Sequence, residues 1–324
     1  MSEVVVSVIL PVYNAEKYIL EALESISNQT FKDFEIIAIN DGSTDNSLNI
    51  MQEYAKKEPR MRIISRENRG LVATLNEGIQ QAKGKWIARM DADDISLPER
   101  FEKQLKFLEN NPDIKVCGTY AKGFGIANEL YRYSKTPRGI IESLAFIVPL
   151  VHPSVMGCKN IFLENPYDQN YKDAEDYELW IRLALKSVKM ANVSEELLLY
   201  RIHEKQTSYK NDFQKNMAKK IAKHYVNNSE LFKTIDFDKW CIEDLYKKDI
   251  SIDSFNKNIL VLHELNRIIT DDYMKEFFKE RIYNFFKHSA RLGFKTILPH
   301  LNLIDISLKK KLELYFRILR KSLF

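Results

Sequence analysis

At 324 residues, 45% hydrophobic and 29% charged, the chain has an ordinary folded-protein composition and the length for one large domain or two smaller ones. Its net charge of +4 is too small to single out nucleic acid as a partner. Three cysteines, Cys117, Cys158 and Cys241, are odd in number and lack metal-ligand spacing, which argues against a disulfide framework and for a reducing compartment. Residues 4–12 lack the basic start and cleavage site of a secretion signal, and apolar runs such as 144–151 are too short to cross a bilayer. The cytoplasm is the expected location.

The β-branched run at residues 4–10 (VVVSVIL) predicts a strand buried on both faces of a parallel sheet. Pro11 ends it. Asn14 is placed to cap a helix over 15–28, whose apolar stripe is Tyr18, Ile19, Ala22, Leu23 and Ile26. A second strand at 34–40 (FEIIAIN) runs into Asp41-Gly42-Ser43-Thr44-Asp45, followed by a helix to about residue 57. A third strand is expected at 61–65, a helix at 71–83 closed by Gly84 as its C′ residue, and a fourth strand at 86–90. Alternating strands and helices at this spacing predict a doubly wound α/β sheet, with ligands at the carboxyl ends of the strands.

After the fourth strand come Asp91, Asp93 and Asp94. Two readings fit: a solvated acidic turn capping the helix that Pro98 begins, or a site for a hard divalent ion. Further elements follow: a helix at 98–109, a strand at 115–120, a hairpin near Gly123, Gly125, Tyr131 and Tyr133, a helix at 139–147 and an extended HPSVM segment. Asp173 opens the helix DAEDYELWIRLALK, with Tyr177, Trp180, Ile181 and Ala184 toward the core, and 197–202 is the last strand. Beyond it glycine almost disappears and helix-period patterns run to the end. The boundary falls near residue 210, giving regions 1–210 and 211–324. The segment 307–324 sets Leu308, Leu312, Tyr315, Leu319 and Leu323 on one face of a basic helix. Such a helix suits an anionic bilayer at the inner face of the membrane, or packing on the domain or on a second subunit of a homo-oligomer.

In order, SVILPVYN, NDGSTD, ARMDADD, AEDYELW and YRIHEKQTS resemble the motifs of family 2 glycosyltransferases of the GT-A fold, the bacterial group that builds surface polysaccharides such as capsule and lipooligosaccharide. The resemblance covers residues 4 to about 210. It implies a GT-A (Rossmann-like) mixed sheet flanked by helices, followed by a mainly α-helical C-terminal extension. It also implies inverting, metal-dependent transfer of a hexose or N-acetylhexosamine from a UDP-sugar to a glycan or lipid-linked acceptor.

By the same resemblance Pro11, Tyr13 and Asn14 lie along the uracil, Asp41 accepts from its imide N–H, and Gly70 and Asn76 flank the nucleotide. Relatives carry an arginine near Thr74 that this chain lacks. Asp93 would hold Mn²⁺ or Mg²⁺, with His203 returning as a further ligand, and Asp91 would contact the ribose or the metal's water shell. Arg89, just before the motif, is read as an internal counter-charge for the cluster and grouped with Asp94 on the sugar side, where Asp94 binds donor sugar or caps the helix that Pro98 begins. Asp176 would be the general base, supported by Glu175, and His152 would line the acceptor pocket.

Plainer roles compete at each position. Asp41 fits an Asx-turn, Asp173 and Asp176 fit a helix cap, and a lone histidine is usually structural. A catalytically silent nucleotide- or glycan-binding subunit is the alternative function. PVYNAEKY lacks the triphosphate-binding loop of a nucleotidyltransferase.

Overall fold

The computed structural model describes residues 4–204, 212–235 and 251–292, with Ile297, Pro299, His300, Lys310, Leu314 and Arg317. The chain folds as two compact units, Met1–Ile221 and Ala222–Phe324. Most of the expected basic helix at 307–324 lies outside the described residues, as does the end of YRIHEKQTS.

The first unit is built on one mixed sheet. Its strands are β1 (Val6–Val12), β2 (Phe34–Asp41), β3 (Met61–Arg66), β4 (Trp86–Arg89), β5 (Ile95–Ser96), β6 (Ile114–Gly125), β7 (Leu130–Tyr131), β8 (Met156–Cys158) and β9 (Lys189–Ile202). They run in the order β3-β2-β1-β4-β8-β6-β9-β5, with β7 paired to β6. The first four are parallel, as the β-branched runs predict, because both sheet faces are covered. From β4 onward the sheet changes sense: β8 is antiparallel to both β4 and β6, and β9 is parallel to β6.

The covering helices are α1 (Ile19–Ser27), α2 (Ser47–Ala55), α3 (Leu71–Gln81), α4 (Arg100–Asn110), α5 (Pro137–Ser143), α6 (Lys159–Glu164) and α7 (Glu175–Leu185). α1 buries Ile19, Ala22, Leu23 and Ile26, the stripe read from the sequence less Tyr18. Each fully buried isoleucine or leucine in this layer contributes about 1.5–3 kcal/mol of hydrophobic stabilisation. α1 starts four residues later than expected, and Asn14 does not cap it. Asn14 sits at φ 50° and its side-chain Oδ1 accepts from the Thr44 N–H at 2.8 Å, tying the β1 loop to the β2 loop. α3 ends on an extended Ala82, so Gly84 is not its C′ residue. A Cβ at Gly84 would lie 2.7 Å from the Ser7 nitrogen; glycine lets the chain pass against β1 before β4 begins. His152, Pro153 and Ser154 form a single 3₁₀ turn rather than an extended segment.

In the second unit, the end of α8 (Asp212–Asn228), α9 (Ile252–Ile268) and α10 (Asp272–Ser289) supply the apolar core. Phe255 stacks on Phe285 with ring centroids 5.4 Å apart, and Leu262, Leu265 and Phe286 are buried around them. Ser251 and Asp271 cap α9 and α10 through the N–H groups of Ser254 and Met274.

Candidate active site

The loops after β1 to β4 collect on one rim of the sheet, and hydrogen bonds fix them to one another. Asp41 ends β2 buried, its carboxylate accepting from the N–H of Arg69 at 2.8 Å and of Gly70 at 2.9 Å. Arg66, at the end of β3, pairs with the same carboxylate. The turn after β2 is closed by Asn40 rather than by Asp41: the Asn40 side-chain oxygen accepts from the Ser43 N–H at 3.2 Å. Gly42 has φ 72°, and a Cβ there would meet the Asn68 nitrogen at 2.6 Å, so glycine is what lets the β2 loop pass this close to Asn68. Tyr13 stands 55% exposed beside this rim, and Pro11 is the half-buried residue of β1. Asn76 faces elsewhere in its bonding. Its amide donates to the Tyr167 carbonyl at 2.8 Å and accepts from the Tyr167 N–H at 2.9 Å.

β4 delivers the acidic cluster. Carboxylate oxygens of Asp91, Asp93 and Asp94 lie within 4.8 Å of one another, the one such acidic or histidine cluster among the described residues. Arg89, buried, bonds Asp91 at 2.5 Å and is the counter-charge the sequence led us to expect. One guanidinium does not balance three carboxylates. Burial, reinforced by Asp93 and only partly relieved by Arg89, pushes Asp91 up to about 6. Burial, then Asp91 and Asp93, raises Asp94 well above the usual carboxylate range. Asp94 does not cap α4: one oxygen accepts from the Arg201 N–H at 2.8 Å and the other is buried without a partner. His203 Nε2 lies 3.0 Å from the Asp93 carboxylate, bringing the end of β9 to the cluster. Clustered carboxylate oxygens, mutual repulsion and a neighbouring imidazole are a donor set that fits a hard divalent cation.

α7 brings the second acidic pair to the same centre. Its first residue, Glu175, is buried, while Asp176 is half-buried and so remains reachable. Ala174 occupies the N-cap with no side-chain capping bond, and Asp173 lies one residue further out at φ 69°. Asp176 accepts from the N–H of Tyr177 at 2.7 Å. That bond pulls its pKa down, but burial outweighs it and the net shift is upward. Burial and the adjacent Asp176 charge push Glu175 up to about 7. Both carboxylates feel the charge of Arg89, and Asp91 feels that of Asp176, which joins α7 electrostatically to the turn after β4. His152 is buried beneath, bonded to the Tyr167 hydroxyl at 2.8 Å. Burial, then Arg89, holds its imidazole well below the usual value and keeps it neutral.

Comparison with known proteins places this arrangement in a family. The model of glycosyl transferase family 2 matches residues 7–169. An uncharacterized glycosyltransferase of Haemophilus influenzae is 33% identical, covering 98% of this chain and 97% of its own length. The chain belongs to glycosyl transferase family 2. Another relative, the Escherichia coli O-antigen biosynthesis glycosyltransferase WbnJ, is 35% identical over 62% of this chain and 81% of its own length. Two Rickettsia relatives are longer, and the chain spans only 34% and 33% of them. The crystal structure of Staphylococcus aureus TarS 1-349 in complex with UDP-GlcNAc has a TM-score of 0.57 at 20% identity, covering 89% of this chain and 87% of that one. At that identity the likeness is one of fold, a GT-A-like mixed sheet flanked by helices.

Three side chains that touch or face the candidate residues of this family 2 glycosyltransferase went unread in the sequence. The Arg66 guanidinium reaches Thr74 Oγ1 at 3.0 Å, so an arginine does stand at Thr74, supplied from β3 rather than from α3. Arg201 donates from Nε to the Asp93 carbonyl at 2.7 Å, pairs with Glu21, and lies between the rings of Tyr18 and Phe124 at 4.5 and 4.3 Å. The Tyr167 hydroxyl feels the charges of Arg89, Asp176, Glu175 and Asp91. No local pattern marks Tyr167. The arginine in YRIHEKQTS was the available signal for Arg201.

Proposed function

We propose that this glycosyltransferase carries out inverting, metal-dependent transfer of a hexose or N-acetylhexosamine from a UDP-sugar to a hydroxyl of a glycan or lipid-linked acceptor in surface-polysaccharide synthesis. The observation that supports it best is the convergence of two acidic groups from distant parts of the chain, 91–94 and 175–176, around Arg89. Asp93 and His203 would hold Mn²⁺ or Mg²⁺, with Asp91 at its water shell or at the ribose. When bound, the ion supplies positive charge to balance the departing diphosphate.

The remaining work falls to side chains. Asp41 and Tyr13 serve the base, the first as a hydrogen-bond acceptor and the second as a stacking plate, with Pro11, Asn14 and Gly70 shaping the pocket and Asn76 holding its neighbour Tyr167. Asp176 takes the proton from the acceptor hydroxyl, on the face opposite the leaving group. Its upward-shifted pKa moves a carboxylate in the direction a general base requires. Glu175, Arg89 and Asp94 border the sugars, and His152 supports the acceptor side. We assign the helical region 211–324 to contacts with acceptor, membrane or a second subunit. Among the described residues no helix is long and apolar enough to cross a membrane. The test is UDP release from a panel of UDP-sugars with Mn²⁺. Slow hydrolysis of one donor without acceptor is expected; no UDP binding and no release from any donor would refute the reading.

A further inference from the structure

A buried charge below the acidic turn has no ion-pair partner among the described residues. Arg100 opens α4 with its side chain 0% exposed, and no carboxylate among the described residues lies within salt-bridge distance of it. Taking a guanidinium out of water is costly unless its donors are satisfied and its placement is used. Each of its three nitrogens finds an uncharged acceptor, and those of Nη1 and Nη2 bracket the acidic run. Nη2 donates to the Arg89 carbonyl at 2.6 Å, just before Asp91. Nη1 contacts Met90 Sδ at 3.3 Å and Ser96 Oγ at 3.5 Å, on either side of the three aspartates. Nε donates to Gln104 Oε1 at 3.1 Å.

The brackets are themselves anchored. Gln104 is fully buried and donates to the Ser154 carbonyl at 2.9 Å, and Ser96 Oγ accepts from Gln29 Nε2 at 3.1 Å. Gln29 in turn accepts from the Phe101 N–H at 3.1 Å. The turn is therefore gripped at both ends from a rigid floor that reaches α1, α4 and the segment before β8. A planar fork with several fixed donors can do this; an ammonium on a flexible stem cannot reach the same set at once.

We propose that Arg100 is a positioning residue of the cation site: its fork fixes the two ends of the 91–94 turn so that Asp91 and Asp93 converge on one ion. The proposal rests on the metal-dependent reading above. The variants are Arg100→Met, Arg100→Lys and Ser96→Ala, with Leu108→Ala as a control that destabilises α4 through a buried side chain distant in sequence from the turn. Mn²⁺ affinity is measured on the full chain by titration followed by electron paramagnetic resonance, alongside the melting temperature. Both Arg100 variants are expected to weaken Mn²⁺ binding about tenfold or more and to broaden the bound-ion spectrum, and Ser96→Ala about threefold. Leu108→Ala should lose melting temperature while keeping its Mn²⁺ affinity. Unchanged Mn²⁺ affinity in a folded Arg100→Lys or in Ser96→Ala would overturn the proposal, and so would a loss in Leu108→Ala as large as in Arg100→Lys. If the unmutated chain binds no Mn²⁺, the metal-dependent reading itself falls.

Discussion

Two buried acidic positions on the same rim are treated in opposite ways. Asp41, at the end of β2, has an arginine partner and two backbone N–H donors, and Arg66 is further held by Glu77. The acids after β4 and at the start of α7 have one ion-paired arginine, Arg89, among five carboxylates, and most of them are pushed upward by burial and by one another. The paired acid is a fixed acceptor, suited to reading a hydrogen-bond donor. The crowded acids are short of positive charge, which is what the proposed function asks of groups that would hold a cation or take a proton. Pairing, not the mere presence of aspartate, separates the two acidic positions.

The contrast can be broken by substitution. The largest effect is expected from Asp176→Asn, which should lower transfer by about 10³-fold while UDP-sugar binding stays within a few fold, because only the proton acceptor is lost. Unimpaired transfer would remove Asp176 as the base. His203→Ala should raise the Mn²⁺ concentration needed for half-maximal rate by roughly 10- to 100-fold; an unaltered metal response would count against the ligand role. Asp41→Asn acts on the paired side. It should cost about 2 kcal/mol in urea unfolding, since Arg66 loses a buried partner but keeps Glu77. A change of only a few tenths would show that the pairing is not structural.

The last effect is confined to alkaline pH. Glu175 has its folded pKa raised from 4.5 to about 7. Its contribution to stability is therefore fully present below about pH 4.5 and is lost as pH rises through 7. Glu175→Gln cannot ionise, so it should match the unmutated chain at pH 4 and exceed it at pH 8 by an amount on the order of 2 kcal/mol. A stability difference that does not vary with pH would dissolve the contrast between paired and crowded acids.

Much of the first half of the fold could be read locally. Residues 4–10 and 34–40 are apolar on both faces, and a strand so composed is stable only between two covering layers; β1 and β2 are indeed almost wholly buried. The hairpin near Gly123 was also legible, with Ala121 opposite Tyr131. Helix ends read less well. Asn14 and Gly84 have the residue types of a cap and a stop, but each serves a distant loop or strand, and residue type does not reveal which partner wins. The second half of the sheet was hidden further. That β8 lies between β4 and β6, and that β9 runs parallel to β6, follows from pairings across tens of residues that no periodicity encodes.

By itself the sequence determined the layered α/β architecture and the acidic run after β4, because burial pattern and charge are local properties of the chain. It also determined the family, through ordered motifs. Only the tertiary structure decided how those acids are held. The Arg66 fork at Thr74, the Arg201 side chain between two rings and the Arg100 fork beneath the turn are all long guanidinium reaches from other elements. A guanidinium spans several ångström and finds its acceptors only after the strands have set them in place, so its role is settled by folding rather than by its neighbours in sequence.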